Sequence, residues 1–206
     1  MAKSTNPFRY FDSSPEVIRT VVMMYVKYPL SLRNVEDLLA ERGIDICHET
    51  VRLWWNRFGP VFAAEIRRKR VQRMRSFTHW RWHLDEVYVK INGEMHYLWR
   101  AVDEEGEVLE SFASKTRDKA AMKDLGNTAK QEVGRWANNR VENSHLPFRR
   151  RERAMLRFRQ MKTLQKFSSV HAAFQNQFGQ DRHLISRETY KAQRSAALAA
   201  WQTLAA

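Results

Sequence analysis

Asn92-Gly93 constrains this chain more than any other pair of its residues. It separates two runs that alternate between apolar and polar, residues 83–91 and 95–102. Asn-Gly favours the positive φ angles that a two-residue turn between antiparallel strands requires, so the pair predicts a β-hairpin. Glu104-Glu105-Gly106 marks a second turn, and Val108 to Ala113 a third strand. The three runs predict an antiparallel meander. Alternation along its first strand puts Asp85 in line with Val87, Val89 and Ile91, on the apolar face. A carboxylate there needs a cation or hydrogen-bond donors, because desolvation penalises its charge.

Upstream of the meander the period is helical. Val17, Val21, Met24 and Tyr25 recur at one-face spacing, and Pro29 ends that run. Ser31 fits the N-cap of a second helix, with Val35, Leu38 and Leu39 inward and Gly43 as a C-terminal stop. A third helix begins near His48 and turns Val51, Trp54, Trp55 and Phe58 to one side. Helix, glycine turn, helix is the plan of a helix-turn-helix module, here over residues 1–62, although any small helical bundle shows it. If the module reads DNA, Thr50, Arg52 and Arg57 are its candidates for groove or backbone, while Trp54 and Trp55 belong to the core. Residues 63–79 hold Arg67, Arg68, Lys69, Arg70, Arg73 and Arg75. They form a linker helix, either solvated or lying against phosphates.

Beyond Lys115 the strand signals fade. Asp118 to Leu125 reads as a helix, residues 130–136 as a short strand. One long helix then carries Met155, Phe158, Met161, Leu164, Phe167, Val170 and Phe174 as core positions, up to Gly179. A last helix runs from Arg187 to Leu204 with Ser186 as its cap. The expected fold class is mixed α+β: an N-terminal helix-turn-helix bundle, a domain over 80–182 built on the meander, and a C-terminal helix in 183–206.

The charge narrows the partners. Lys plus Arg number 36 against 23 acids, a formal charge of +13, which favours a polyanion such as nucleic acid. A soluble basic protein with no such partner is the alternative. No apolar run is long enough to span a bilayer, and the first ten residues lack the apolar core of a secretory signal. Cys47 is the sole cysteine, so an internal disulfide and a cysteine-based zinc site are excluded. We expect a reduced, cytoplasmic setting and read Cys47 as a small buried apolar residue.

A second carboxylate of interest is Glu142, in Asn138-Asn139-Arg140-Val141-Glu142-Asn143-Ser144-His145. Arg135, Arg140, Arg149, Arg150, Arg151, Arg153, Arg157 and Arg159 surround it, with Glu152 the other acid. Arginine forks match phosphate oxygens in pairs. Two acids converging in such a basic chain suggest a divalent-metal site acting on phosphate. An ordinary carboxylate near a helix N-terminus, favoured by the dipole, is the competing reading.

The longer motifs carry a family resemblance. His83-Leu84-Asp85-Glu86-Val87-Tyr88-Val89-Lys90-Ile91-Asn92-Gly93 with Tyr97-Leu98-Trp99-Arg100-Ala101-Val102-Asp103 resembles the first catalytic block of bacterial insertion-sequence transposases of the IS-six family. Gly134-Arg135-Trp136 through His145, continuing to Arg149-Arg150-Arg151-Glu152-Arg153, resembles the last block. Ser31 to Leu39 with Thr50-Val51-Arg52 and Trp54 resembles the N-terminal DNA-binding module. The resemblance implies a ribonuclease H-like domain whose Asp-Asp-Glu triad holds Mg²⁺, with Mn²⁺ as a substitute. It implies binding of terminal inverted repeats and target DNA, strand cleavage and transfer, and a homo-oligomer or a mixed oligomer with intact transposase. Asp85 matches the first carboxylate and metal ligand, and Glu142 the last. Arg140, Arg149, Arg150, Arg151 and Arg153 are the implied DNA contacts there.

One departure stands out. Family members carry a helix, a fourth strand ending in the second Asp, and a further helix between these blocks. Here Thr116-Arg117-Asp118-Lys119-Ala120 resembles the start of the first helix and runs directly into Ala121-Met122-Lys123-Asp124-Leu125-Gly126, which resembles the end of the other. The join reads as an in-frame deletion near Ala120-Ala121. It removes the second Asp and the strand that pairs beside Asp85, and so implies a truncated, catalytically defective domain. Asp118 and Asp124 lie nearby but outside the family motif.

Overall fold

The computed structural model describes residues 6–74, 82–103, 106–117, 135–179 and 185–205, with backbone alone at 73–74, 82–83, 85 and 135–144. Ser14 opens the first helix because its hydroxyl accepts the Val17 N–H at 3.3 Å, while Pro15 presets the first helical φ. That helix, α1 (Pro15–Lys27), buries Ile18, Val21, Val22, Tyr25 and Val26. The second, α2 (Leu32–Ala40), starts in a capping box. Asn34 N–H donates to Ser31 Oγ at 3.1 Å, and Ser31 N–H donates to Asn34 Oδ1 at 3.0 Å. Gly43, at φ +70°, turns the chain toward α3 (His48–Met74) in a helix-turn-helix arrangement. α3 runs unbroken past residue 62 and buries Val51, Trp54, Trp55, Phe58, Phe62, Ala63 and Ile66.

Cys47 departs from expectation, for it is exposed. It stands just before α3, where its carbonyl accepts the Thr50 and Val51 N–H groups at 2.9 and 3.2 Å. A residue in that capping position lies outside the helix and its packed face, whatever its polarity.

The meander forms as expected. Strands β1 (Trp82–Ile91), β2 (Glu94–Asp103) and β3 (Val108–Ser114) pair antiparallel in the order β1-β2-β3. Asn92 and Gly93 take φ angles of 50° and 88°, the turn that the right-handed twist of a hairpin favours. Asp85 sits opposite Arg100, and Val87 opposite Leu98. Val87, Val89, Ile91 and Leu98 are buried against helices.

Helix α4 (Arg135–Ala154) packs against β1, and α5 (Met161–Phe178) against β3. Side-chain amides of α5 complete the open edge of β3. Ala113 N–H donates to Gln165 Oε1 at 2.7 Å and Gln165 Nε2 donates to the Ser111 carbonyl at 2.8 Å; Asn176 makes the same pair of bonds with Val108. A third strand thus has neighbours on both sides. Among the described residues no strand pairs with the other edge of β1.

The long helix expected to carry Met155 through Phe174 begins only at Met161. α4 stops at Ala154, and Leu156 and Arg157 take left-handed φ angles of 56° and 72°. Their N–H groups donate back to the Arg153 and Glu152 carbonyls, both at 3.2 Å, a helix-ending motif that satisfies orphan acceptors. The apolar period survives the break because Phe158 folds back into the core, its ring 6.1 Å from Phe148 and 5.7 Å from Phe167. The short strand expected over 130–136 is also corrected where it is described: Arg135 and Trp136 begin α4. Residues 130–134 and the helix expected at 118–125 lie outside the described residues.

One core joins both ends of the chain. The Trp55 ring lies 5.7 Å from Phe167, and Trp201 of α6 (Arg187–Gln202) lies 5.1 Å from Phe62 and 4.9 Å from Phe174. Each such aromatic contributes roughly 1.5–3 kcal/mol through burial. Arg19 Nε–H donates to the Leu204 carbonyl at 2.8 Å, and Ala205 N–H to Glu65 at 2.8 Å, which ties the end of α6 to α1 and α3. No described helix is long and apolar enough to cross a membrane.

Candidate catalytic and DNA-binding site

Asp85 lies on β1 and Glu142 on α4; their side chains are outside the described residues, as is that of Arg140. Backbone placement still identifies their neighbours. Arg100 is the cross-strand partner of Asp85 and is only 2% exposed. It is close enough to His145 of α4 and His171 of α5 to depress both imidazoles. Burial first, then Arg100 and Arg149, pushes His145 down to about 4. Burial first, then Arg100 and Arg151, pushes His171 down to about 3. His145 follows Glu142 by three residues, close to one helical turn. The backbone of Glu142 therefore lies about one helical turn along α4 from His145, on a helix that packs against β1.

Arg100, His145 and His171 were not apparent as a group from sequence. Arg100 alternates with Leu98 and Val102 on β2, so the rule that singled out Asp85 singles it out too. The histidines carry no such mark, since only the packing of α4 and α5 on the sheet brings them near Arg100. Neutral at physiological pH, they add no charge near Arg100.

The arginines of α4 divide sharply. Arg150 and Arg153 are exposed, and Arg149 is half-buried with Glu152, its Nη1 donating at 2.7 Å. Arg151 is 1% exposed: it donates to the Leu30 carbonyl at 2.7 Å and lies over Tyr25 and Phe167, 4.7 and 5.6 Å from their centroids. As placed it cannot reach a phosphate. The expectation that Arg151 touches DNA is corrected on that ground, because its phase on α4 faces the core.

On α3 the exposed side chains form a stripe that includes Glu49, Arg52, Leu53, Asn56 and Arg57. At 3.6 residues per turn, Thr50 and Arg57 fall at one border and Arg52 at the other, roughly half a turn apart. Thr50 is half-buried beside Cys47, Arg52 pairs with Glu49 at 2.9 Å, and Arg57 lies over Phe11 at 5.6 Å. Leu53 and Asn56 hold the centre of the face, and the period of the buried residues would have pointed to them. Trp54 and Trp55 are core, at 3% and 5% exposure.

A profile of the DDE domain from IS240-type transposases matches this meander and the helices that back it, over residues 79–129 and 121–181. The chain belongs to the IS-six family of DDE transposases. Curated relatives agree. The "Transposase for insertion sequence-like element IS431mec" of Staphylococcus aureus is 36% identical over 113 residues, 55% of this chain and 48% of the relative. The "Transposase for insertion sequence element IS257 in transposon Tn4003", also of Staphylococcus aureus, is 35% identical over the same length. An uncharacterized protein of Yersinia pseudotuberculosis is 42% identical over 38 residues. The chain spans about half the length of the curated transposases it matches.

Proposed function

We propose that this IS-six transposase chain binds the terminal inverted repeats of an insertion sequence and target DNA, but is disabled in strand cleavage and transfer by loss of its second catalytic Asp. The observation that carries this reading is the two-piece match of the DDE domain. Its segments, 79–129 and 121–181, overlap at 121–129, beside the join inferred at Ala120-Ala121. A chain lacking an internal stretch of the domain gives that pattern.

Asp85 and Glu142 are the carboxylates we assign to the first and last positions of the triad, as both catalytic residues and metal ligands. Carboxylate oxygens suit Mg²⁺ or Mn²⁺, which take few protein ligands and keep several waters. When bound, such an ion polarises a phosphoryl oxygen and orients the attacking group. Two carboxylates fit a single ion in part; a pair of ions needs the third. The rest belongs to the chain's own groups. Arg100 and Arg149 offset negative charge at the site, buried His171 and half-buried His145 exclude water, and Arg140, Arg149, Arg150 and Arg153 hold phosphates. Thr50, Arg52 and Arg57 of the helix-turn-helix, with its boundary at residue 62, would read the element ends.

A second reading is a non-catalytic DNA-binding protein that joins an intact transposase as an inactive partner. The edge of β1, unpaired among the described residues, favours it, since a missing neighbour strand leaves backbone donors and acceptors for another chain. Competition binding with element ends and random duplex tests the end-binding claim shared by both readings. We expect preference for the ends; equal affinity for both would remove it.

A further inference from the structure

A cleft of about 330 Å³ opens between the tip of the β1–β2 hairpin and the turn that joins α4 to α5. The hairpin contributes Lys90, and the turn contributes Arg157 and Arg159, all exposed. No carboxylate belongs to its described lining. Two contacts fix its shape. Asn92 Nδ2 donates to the Arg159 carbonyl at 2.9 Å, which ties the hairpin tip to the turn. Phe158, 3% exposed, anchors the turn between its two arginines in the core. Arg157 and Arg159 are thereby held outward on either side of a buried ring.

Leu156 adds a third observation. It occupies the helix-ending position that usually takes glycine, at φ +56°, and is 89% exposed. Packing does not require a leucine there, and glycine would end the helix with less strain. Backbone outliers of this kind cluster where a ligand gives them a use. We propose that this cleft seats a phosphodiester of the DNA backbone between Lys90, Arg157 and Arg159, with Leu156 against the adjoining deoxyribose. Guanidinium forks and an ammonium converging without a competing acid match that anion. The inference rests on the DNA-binding reading above and assigns to it a contact outside the helix-turn-helix and outside the Glu142 segment of α4.

A phosphate contact is independent of sequence, so the test titrates the full chain against a duplex of arbitrary sequence across a range of salt. The triple variant Lys90→Gln, Arg157→Gln, Arg159→Gln should bind about tenfold more weakly at low salt. Its plot of log affinity against log salt should be shallower by about 0.9, the loss of one phosphate. Should the triple variant not fold, Arg157→Gln alone is read the same way. Leu156→Gly should weaken binding about threefold without loss of thermal stability and without change of slope. A variant slope and affinity equal to those of the unmodified chain would overturn the assignment. So would inorganic phosphate bound by the unmodified chain and not by the variant while duplex affinities stay equal, which would make the cleft a free-phosphate site. If the unmodified chain binds no duplex, the DNA-binding reading itself fails.

Discussion

Arg150 and Arg151 are adjacent in α4, yet one is exposed and the other sits in the core against Tyr25 and Phe167. Arg150→Ala should therefore weaken DNA binding severalfold and change stability by less than about 0.5 kcal/mol. Arg151→Ala should cost about 3 kcal/mol, through lost packing and the lost bond to the Leu30 carbonyl, and leave the DNA affinity of the folded chain unchanged. Denaturant unfolding and a DNA titration on both variants separate the roles. The distinction was illegible in sequence because Arg149-Arg150-Arg151 is a uniform run, and only the packing of α4 sets its phase. His171 makes a pH prediction. Its folded value is about 3 and its ordinary value near 6.5, so between these the unfolded chain binds more protons. Stability from this residue is complete above 6.5 and is lost as pH falls through that window, by about 1.4 kcal/mol per unit. Denaturant unfolding at pH 7 and pH 5 should show the natural chain losing about 2 kcal/mol more than His171→Leu; equal losses would contradict the burial of a neutral imidazole.

Elements were legible where their signals are local. The hairpin follows from Asn92-Gly93 and flanking alternation, and the helix starts at Ser31 and Ser186 from single capping hydroxyls. The break between α4 and α5 was not, since Phe158 keeps the apolar period while leaving the helix. Nor was the closure of β3, because Gln165 and Asn176 read as ordinary polar positions on a helix. Gln165→Leu tests that closure. It leaves the Ala113 N–H and the Ser111 carbonyl unpaired and should cost about 2 kcal/mol in urea unfolding. A cost near zero would mean water or a neighbouring group replaces the amide.

At the scale of the molecule, the excess of positive charge was expected to serve DNA handling, whereas the core that joins both ends of the chain was not foreseen, and the candidate site was half legible. The two outer carboxylates proposed for it came from motif and alternation; Arg100, His145 and His171 are brought together by the packing of α4 on β1 and α5 on β3. The proposed defect is likewise a whole-domain property, because the second Asp would arrive on a strand beside β1 and not as a local substitution. Asp118 and Asp124 do not replace it on this account. The most direct measurement is strand transfer on cognate element ends with Mg²⁺ or Mn²⁺, run beside an intact IS-six transposase and beside Asp85→Ala of this chain. The chain should retain end binding and give no more joined product than its own Asp85→Ala variant. Joined product approaching that of the intact enzyme, and abolished by Asp85→Ala, would contradict it.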